Sequence, residues 1–271
     1  MRSVQTCPCP AFQHFDYPVV GDVASREYLL SKANSDAGRI GARGMAACLN
    51  TFDNEQAAPS DGLVVSTLQI LSQSDENEIN LMITRPVGDE CLPCVYYIHG
   101  GGMQSLSCYD GNYKAWARLI AANGVAVIMV DFRNALYSSS VPEVAPFPAG
   151  LNACLSGVEW VRENSATLNI DPVRIIITGE SGGGNLTFAA GMSLKQSGKL
   201  GIIAGLYALC PYIAGRWPAE GCPSSIDNNG ILLDLHNNRR AMAYGIEHLH
   251  RRKPLAWPSF AADIANFCKS R

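Results

Sequence analysis

A serine stands among four glycines in the stretch GESGGGN, residues 179–185. The β-branched run RIIIT precedes this stretch and the helical pattern LTFAAGMSLKQ follows it, so the serine occupies a turn from a strand into a helix. Small neighbours let such a turn close, and the turn makes the serine hydroxyl project above the sheet. Gly179, Ser181 and Gly183 thus form the pattern G-x-S-x-G, in which the serine is a candidate nucleophile for acyl transfer.

A second glycine motif, HGGG at residues 99–102, follows the apolar run CVYYI. Glycine N–H groups can approach a substrate oxygen closely because no Cβ is in the way. Together with the N–H of Gly182, at the start of the helix that follows the serine, these N–H groups would stabilise the negative charge that develops on a substrate carbonyl. We expect the His99 ring to hold this loop by hydrogen bonds, with Gly102 supporting it. The two motifs together are strong evidence for an acyl-transfer site.

These motifs lie in an alternation of strand-like and helix-like segments. Apolar, β-branched runs begin at Leu63, Ile79, Cys94, Val125, Arg174 and Gly201. The first two alternate like half-exposed antiparallel strands, whereas the last four are nearly continuous, as strands buried on both faces are. Helical patterns with an apolar stripe lie between the buried runs, at 111–124, 147–164 and 183–198.

This alternation predicts an α/β fold with a mainly parallel, doubly wound sheet, helices on both faces and an antiparallel hairpin at one edge. The helical pattern at 25–52 lies outside the alternation and is expected to pack over one end of the sheet. We therefore expect an N-terminal helical cap segment (1–55), an α/β core (56–213) and a cap-like helical C-terminal segment (214–271).

Composition limits the partners that the chain is expected to have. The 271 residues are 47% hydrophobic and 17% charged, which indicates a globular protein with a sizeable core. A net charge of −3 without a long basic run argues against nucleic-acid binding. The sequence shows no signal peptide and no apolar segment long enough to span a bilayer. We therefore expect a soluble, cytoplasmic protein that acts on a small molecule.

The cysteine pattern predicts free thiols. Ten cysteines are scattered along a chain that is long enough to fold without a disulfide framework. Neither CPC at 7–9 nor CLPC at 91–94 has a matching second pair at the spacing of a zinc site. We expect no metal ion and no organic cofactor.

The sequence resembles the hormone-sensitive-lipase-like branch of the α/β-hydrolases, in particular bacterial brefeldin A esterase and its fungal relatives. Five segments between about residues 36 and 262 carry the resemblance: YYIHGGGM, VDFRNA, DPVRIIITGESGGGNL, NNGILLDLHNNRRAMAYG and PLAWPSFA. The resemblance implies that Ser181 is the nucleophile and that Gly100, Gly101 and Gly182 form the oxyanion hole. It also implies ester substrates of small or medium acids, often within secondary metabolism such as fungal toxin synthesis.

A serine nucleophile needs a base, and the base needs an acidic partner. In this fold an Asp or Glu and then a His follow the serine, on loops after two further strands. No β-branched run follows Ile213, and the chain departs from the family pattern at ADIANFCKSR. Both residues are therefore predicted to be missing, and the hydrolase fold to be truncated at its C-terminal end.

The polar residues that remain after the serine are poor replacements. A helix predicted over 239–252 has Met242, Ile246 and Leu249 on its apolar face, which places His248 on the polar side and His250 at the edge. We interpret these histidines as solvated or capping residues. The same holds for the other candidates, His236, Asp227, Asp234 and Asp263.

Three explanations stay open: a shortened paralogue without activity, a truncated gene record, and an active enzyme with a different base. The favoured hypothesis is an esterase of reduced or no activity. The alternative is a binding protein of hydrolase fold, as plant gibberellin receptors are, whose oxyanion loops hold a carboxylate. A sheet that ends after the sixth run would expose an apolar edge, through which copies of the chain would self-associate.

Overall fold

A computed structural model describes residues 25–218, 222–231, 233 and 238–262. Within these ranges the strands are β1 (Leu63–Leu71), β2 (Glu78–Pro86), β3 (Leu92–Ile98), β4 (Ala126–Asp131), β5 (Ile170–Glu180) and β6 (Gly205–Leu209). The α-helices are α1 (Arg26–Ala33), α2 (Asp36–Asn50), α3 (Gly111–Ala121), α4 (Ala149–Glu163), α5 (Gly182–Gln196), α6 (Pro223–Asp227) and α7 (Asn238–His250). Short 3₁₀ helices span Leu200–Ile202 and Pro258–Phe260.

The described strands form one six-stranded sheet in the order β1-β2-β4-β3-β5-β6. β1 pairs with β2, and β2 with β4, in antiparallel fashion, whereas β4, β3, β5 and β6 run parallel. Helices α3, α4 and α5 connect the successive parallel strands. This is the predicted mainly parallel sheet, with the antiparallel hairpin β1–β2 at one edge.

The core consists of two apolar layers, one on each face of the sheet. Successive strand residues point to opposite faces, so the buried Tyr96 and Tyr97 of β3 belong to different layers. The layer that contains Tyr97 lies under α3, and the layer that contains Tyr96 lies under α4, α5 and α7. The continuous apolar runs of β3 and β4 therefore serve both layers, as their patterns predict.

β6 differs from the prediction that its run is buried on both faces. Its residues are only partly buried, and Tyr207 is 63% exposed. The strand occupies 205–209, while a 3₁₀ helix takes up the start of the apolar run at 200–202. Within the described ranges β6 pairs on one side only, with β5, so it lies at the edge of the sheet. Self-association through this edge stays a prediction.

The segment predicted to be helical at 25–52 forms two helices because a serine caps each of them. The side chain of Ser25 accepts a hydrogen bond from the backbone N–H of Tyr28, and that of Ser35 accepts one from Gly38 at 3.1 Å. Residues 1–24 of the predicted cap segment lie outside the described ranges. The guanidinium of Arg26, at the start of α1, donates to backbone oxygens at both Ala135 and Ala243, which connects α1 to the loop after β4 and to α7.

The C-terminal part of the described chain packs on the main core. Trp257 is fully buried, and its ring meets those of Tyr212 and Tyr244 edge to face at 5.6 Å each. Asn185 of α5 donates to the backbone oxygens of Tyr212 and Ala256 at 3.0 and 3.1 Å. The division of the chain into cap, core and C-terminal segments stays a prediction. Among the helices described here, none has the length and apolar character that crossing a bilayer requires.

Trp257 offers a test of how strongly this segment stabilises the fold. We expect Trp257→Ala to lower the free energy of unfolding by about 3–5 kcal/mol, because it leaves a large cavity between Tyr212 and Tyr244. Ile226→Ala, at a side chain that is 66% exposed, is the control and should change it by less than about 0.5 kcal/mol. Urea unfolding measures both variants, and equal effects would contradict the assignment of Trp257 to the core.

Candidate functional site

The two glycine motifs lie side by side because their strands are parallel neighbours. β3 ends at Ile98, β5 pairs with it, and the register places Ile98 opposite Gly179. Parallel strands present their carboxyl ends at the same edge of a sheet, which is where binding sites of open α/β sheets lie. The loop that begins at His99 and the turn that contains Ser181 therefore start from adjacent positions.

Ser181 has the strained backbone that its turn requires. Its φ is +52° and its ψ is −113°, outside the regions that a non-glycine residue favours. Its N–H donates to Leu209 O at 3.0 Å, and its own carbonyl accepts from the N–H groups of Tyr212 at 2.8 Å and Asn185 at 3.1 Å. The exit of β6 and the first turn of α5 thus hold this conformation. Within the described ranges the Ser181 hydroxyl makes no hydrogen bond.

The turn and the HGGG loop meet backbone to backbone. A Cβ on Gly183 would lie 2.0 Å from Ile98 O, and a Cβ on Gly182 would lie 2.6 Å from the backbone nitrogens of Gly102 and Met103. The expected juxtaposition of the two motifs is therefore present. Because Gly182 begins α5, its N–H lacks an intrahelical partner and lies beside the HGGG loop.

Gly100 differs from the other glycines that were predicted to donate to an oxyanion. Its N–H donates to the Tyr113 hydroxyl at 2.9 Å, and that hydroxyl donates to Oε1 of Glu180 at 2.7 Å. Burial raises the pKa of Tyr113 well above its ordinary value, with Glu180 adding to the rise, so the hydroxyl keeps its proton. The Gly100 N–H is thus occupied in this structure.

Several backbone donors remain beside the serine turn. None of the hydrogen bonds among the described residues uses the N–H of Gly101, Gly102 or Gly182. Gly102 was predicted only to support the loop, yet its nitrogen lies against Gly182. The N–H of Met103 is also unused and lies equally close to Gly182, so these N–H groups are candidates for binding a substrate oxygen.

The His99 ring holds the loop, as its position in the motif predicts. The ring is fully buried, stacks on Phe132 at 4.2 Å, and places Nδ1 3.0 Å from Gly100 O. Nε2 lies 3.6 Å from Oδ1 of Asp131. Burial lowers the pKa of His99, with Asp131 opposing that shift, so the ring is neutral at ordinary pH.

Asp131, at the end of β4, is a supporting residue that the sequence analysis missed. It is buried, and Oδ1 accepts from the Ser107 hydroxyl at 2.8 Å and from the Cys108 N–H at 3.0 Å. Oδ2 accepts from the N–H and the hydroxyl of Ser140. The carboxylate therefore ties together the loops that follow β3 and β4. Its signal in the sequence is a carboxylate directly after the apolar run of β4.

His248 is packed, contrary to the prediction that it is solvated on the polar side of its helix. Its side chain is 17% exposed, its ring meets Phe147 at 4.8 Å, and Nε2 lies 3.2 Å from Oε1 of Glu247. Burial lowers the pKa of His248, while Glu247 opposes that shift. The physical reason is a break in α7, since Gly245 has φ +124° and ψ 88° and the helical 100° step does not continue through it.

The remaining candidates for a base or an acid contribute nothing at Ser181 in the part of the chain that can be described. His250 and Asp227 are exposed, as expected. His236, Asp234 and Asp263 lie outside the described residues. No hydrogen bond or ring contact of a described histidine involves Ser181.

Free thiols are confirmed for the cysteines within the described ranges: Cys48, Cys91, Cys94, Cys108, Cys154, Cys210 and Cys222. In the same ranges no group of three or more His, Cys, Asp or Glu side chains lies close enough to hold a metal ion.

A family model described as an alpha/beta hydrolase fold matches residues 95–270, which include both glycine motifs. The chain belongs to the α/β-hydrolase family. Among solved α/β-hydrolase structures, it resembles esterase Est22, with 60% identity and a TM-score of 0.87 over 89% of this chain and 71% of that chain. Brefeldin A esterase, a bacterial homologue of human hormone sensitive lipase, shows 32% identity and a TM-score of 0.76 over 90% of this chain and 66% of that chain.

Curated α/β-hydrolase relatives match over a shorter stretch. Carboxylesterase NlhH of Mycobacterium tuberculosis is 39% identical over 104 residues, which are 38% of this chain and 30% of the relative. The match spans about a third of the length of such relatives. The predicted resemblance is confirmed, since the chain is an α/β-hydrolase that is similar to solved esterases.

Gly183 tests the backbone contact between the two motifs. We expect Gly183→Ala to lower the free energy of unfolding by about 1–3 kcal/mol, because the added Cβ overlaps a strand carbonyl that cannot move aside without shifting β3. Gly201→Ala is the control, since a Cβ there meets nothing within 4 Å. Urea unfolding distinguishes them. A Gly183→Ala protein as stable as the Gly201→Ala protein would show that the contact is looser than described.

Tyr113 tests the hydrogen-bond chain behind the loop. Tyr113→Phe should lower the free energy of unfolding by about 1–3 kcal/mol, because it leaves the Gly100 N–H and the Glu180 carboxylate without their buried partner. Tyr109→Phe is the matched control, because the Tyr109 hydroxyl makes only an exposed 3.4 Å contact with Thr67. Thermal or urea unfolding of both variants is the measurement, and indistinguishable stabilities would speak against the role given to Tyr113.

Proposed function

We propose that this protein is a carboxylic-ester hydrolase in which the Ser181 hydroxyl attacks the acyl carbonyl and forms an acyl-enzyme. The observation that carries the proposal is the strained Ser181 turn, packed against the glycine backbone of residues 100–102. Strain of this kind costs about 1–3 kcal/mol and is found where function requires it. The similarity to Est22, solved with p-nitrophenol, and to a carboxylesterase supports an ester as the substrate.

The proposed oxyanion hole is built from backbone N–H groups. Attack by Ser181 moves negative charge onto the carbonyl oxygen, and preorganised donors stabilise that charge without reorganising. Gly101 and Gly182 are the predicted donors that remain free in the described chain, and Gly102 joins them. Gly100 acts indirectly, since the bond from its N–H to Tyr113 holds the peptide between His99 and Gly100, where the loop begins.

The proton from Ser181 requires an acceptor, and we propose that this 271-residue chain turns esters over weakly. The support is that no described histidine contacts Ser181, together with the predicted absence of the acid and the histidine. A hydrolase without a working triad keeps only about 10³–10⁴-fold catalysis over water, from the oxyanion hole and binding. A role in secondary metabolism or toxin synthesis is proposed from the family resemblance alone.

A second candidate is a binding protein that holds a carboxylate in the oxyanion loop without cleaving it. Two observations favour it. Free backbone N–H donors lie beside Ser181, and no described histidine contacts Ser181. Retention of a strained serine favours the hydrolase, because binding a carboxylate does not require that hydroxyl. The two candidates differ in whether Ser181 is nucleophilic.

A fluorophosphonate probe separates the two candidates. We expect it to label Ser181 covalently, and Ser181→Ala to abolish labelling, whereas Ser197→Ala at an exposed helix end should change nothing. Mass spectrometry measures the rate and the position. Absence of labelling in the folded protein would favour the binding protein.

Turnover of p-nitrophenyl butyrate tests the proposed weakness of catalysis. We expect a rate far below that of Est22 measured under the same conditions, and its loss on Ser181→Ala. A rate similar to that of Est22 would refute the proposal and point to a base within this chain. Replacing His236, His248 and His250 by alanine one at a time would then identify it.

A further inference from the structure

Arg240, in the first turn of α7, lies across the HGGG loop. A Cβ on Gly102 would come within 2.6 Å of Arg240 Cδ and 3.0 Å of its Nε, so the half-buried side chain occupies the space that this glycine leaves open. Gly102 is one of the residues with a free N–H group beside Ser181. The arginine therefore lies directly beside the proposed oxyanion hole.

The guanidinium is also in contact with the second segment that borders the serine. Its central carbon lies 5.8 Å from the centre of the Tyr212 ring, within the range of a cation–π interaction. Tyr212 is anchored to the serine turn, since its N–H donates to Ser181 O at 2.8 Å. Arg240 thus spans from the HGGG loop to the exit of β6, the two segments that flank Ser181.

Arg240 is a partly buried basic residue that has no acidic partner among the described residues. Carboxylates pair with Arg118, Arg133, Arg174 and Lys199. Glu180, the acid next to Ser181, bonds to Tyr113 instead. A partly buried cation is normally paired, and a guanidinium matches a carboxylate through two parallel hydrogen bonds.

We propose that Arg240 binds a free carboxylate of the substrate, so that the preferred esters carry a second, negatively charged group, as monoesters of dicarboxylic acids do. The inference rests on the proposed function, because it takes Ser181 as the point of attack. In this arrangement the scissile carbonyl faces Gly101, Gly102 and Gly182, and the distal carboxylate faces the guanidinium. Arg240 is a specificity-determining residue that binds the substrate away from the bond that breaks.

The first experiment compares p-nitrophenyl butyrate with mono-p-nitrophenyl glutarate, which adds a terminal carboxylate to a similar acyl chain. Single-turnover release of p-nitrophenol reports acylation once the release measured with Ser181→Ala is subtracted, because the glutarate carboxylate also attacks its own ester, and the readout is the ratio of the two corrected rates. We expect the glutarate ester to react about tenfold faster or more, as one charge-assisted hydrogen bond allows. Arg240→Gln should remove that preference and Arg240→Lys should keep part of it. Arg251→Gln, at an exposed arginine after the same helix, should leave the ratio unchanged.

The second experiment measures binding in the Ser181→Ala protein, which requires no turnover. Calorimetry should show that monomethyl glutarate, an anion, binds about tenfold tighter or more than the neutral dimethyl glutarate, and that adding Arg240→Gln removes the difference. An equal affinity for the two ligands, with melting temperatures that show all variants folded, overturns the inference. Anion preference without any acylation of the wild-type protein sustains the Arg240 site and overturns the proposed hydrolase. Acylation of the wild-type protein without anion preference sustains the proposed hydrolase and overturns the Arg240 site.

Discussion

The close approach of two backbones, at the end of β3 and the start of α5, is the constraint on which the rest of this site depends. The strand register places Ile98 beside Gly179, and Gly183 comes so near Ile98 O that no side chain fits between them. The loops that border Ser181 therefore have to start from these two closely packed backbones. The two backbones can approach this closely only because glycines lack a Cβ, and the same glycines also supply N–H donors.

Buried polar groups keep that contact in one geometry. Asp131 collects donors from the loops after β3 and β4, and His99 stacks behind the HGGG loop. Tyr113 connects Gly100 to Glu180 from the opposite face of the sheet, where α3 packs. The buried hydrogen bonds of Asp131 and Tyr113 make alternative loop conformations costly, because breaking them would leave polar atoms unpaired. The backbone donors are thus set in place before any substrate arrives, which electrostatic stabilisation requires.

Features that follow from local patterns were predictable from the sequence, and features made by distant contacts were not. The strands, the hairpin and the turn at Ser181 follow from β-branched runs and glycine positions. The role of Tyr113 does not, because its partner is 67 residues away along the chain and only the sheet brings them together. His248 was misjudged because one glycine, Gly245, breaks the helical period on which the prediction relied. The sixth run was expected at the edge of the sheet, but its continuous apolar composition wrongly indicated a strand buried on both faces.

The bond between Glu180 and Tyr113 restricts which substitutions the serine motif of this chain tolerates. Glu180 occupies the x position of G-x-S-x-G, which is ordinarily regarded as free to change. Here the Glu180 side chain is long enough for its Oε1 to lie 2.7 Å from the Tyr113 hydroxyl. A shorter acid would leave a gap that α3 would have to close. The two side chains form one structural unit, so a mutant library that randomises one position at a time would contain mostly mismatched pairs.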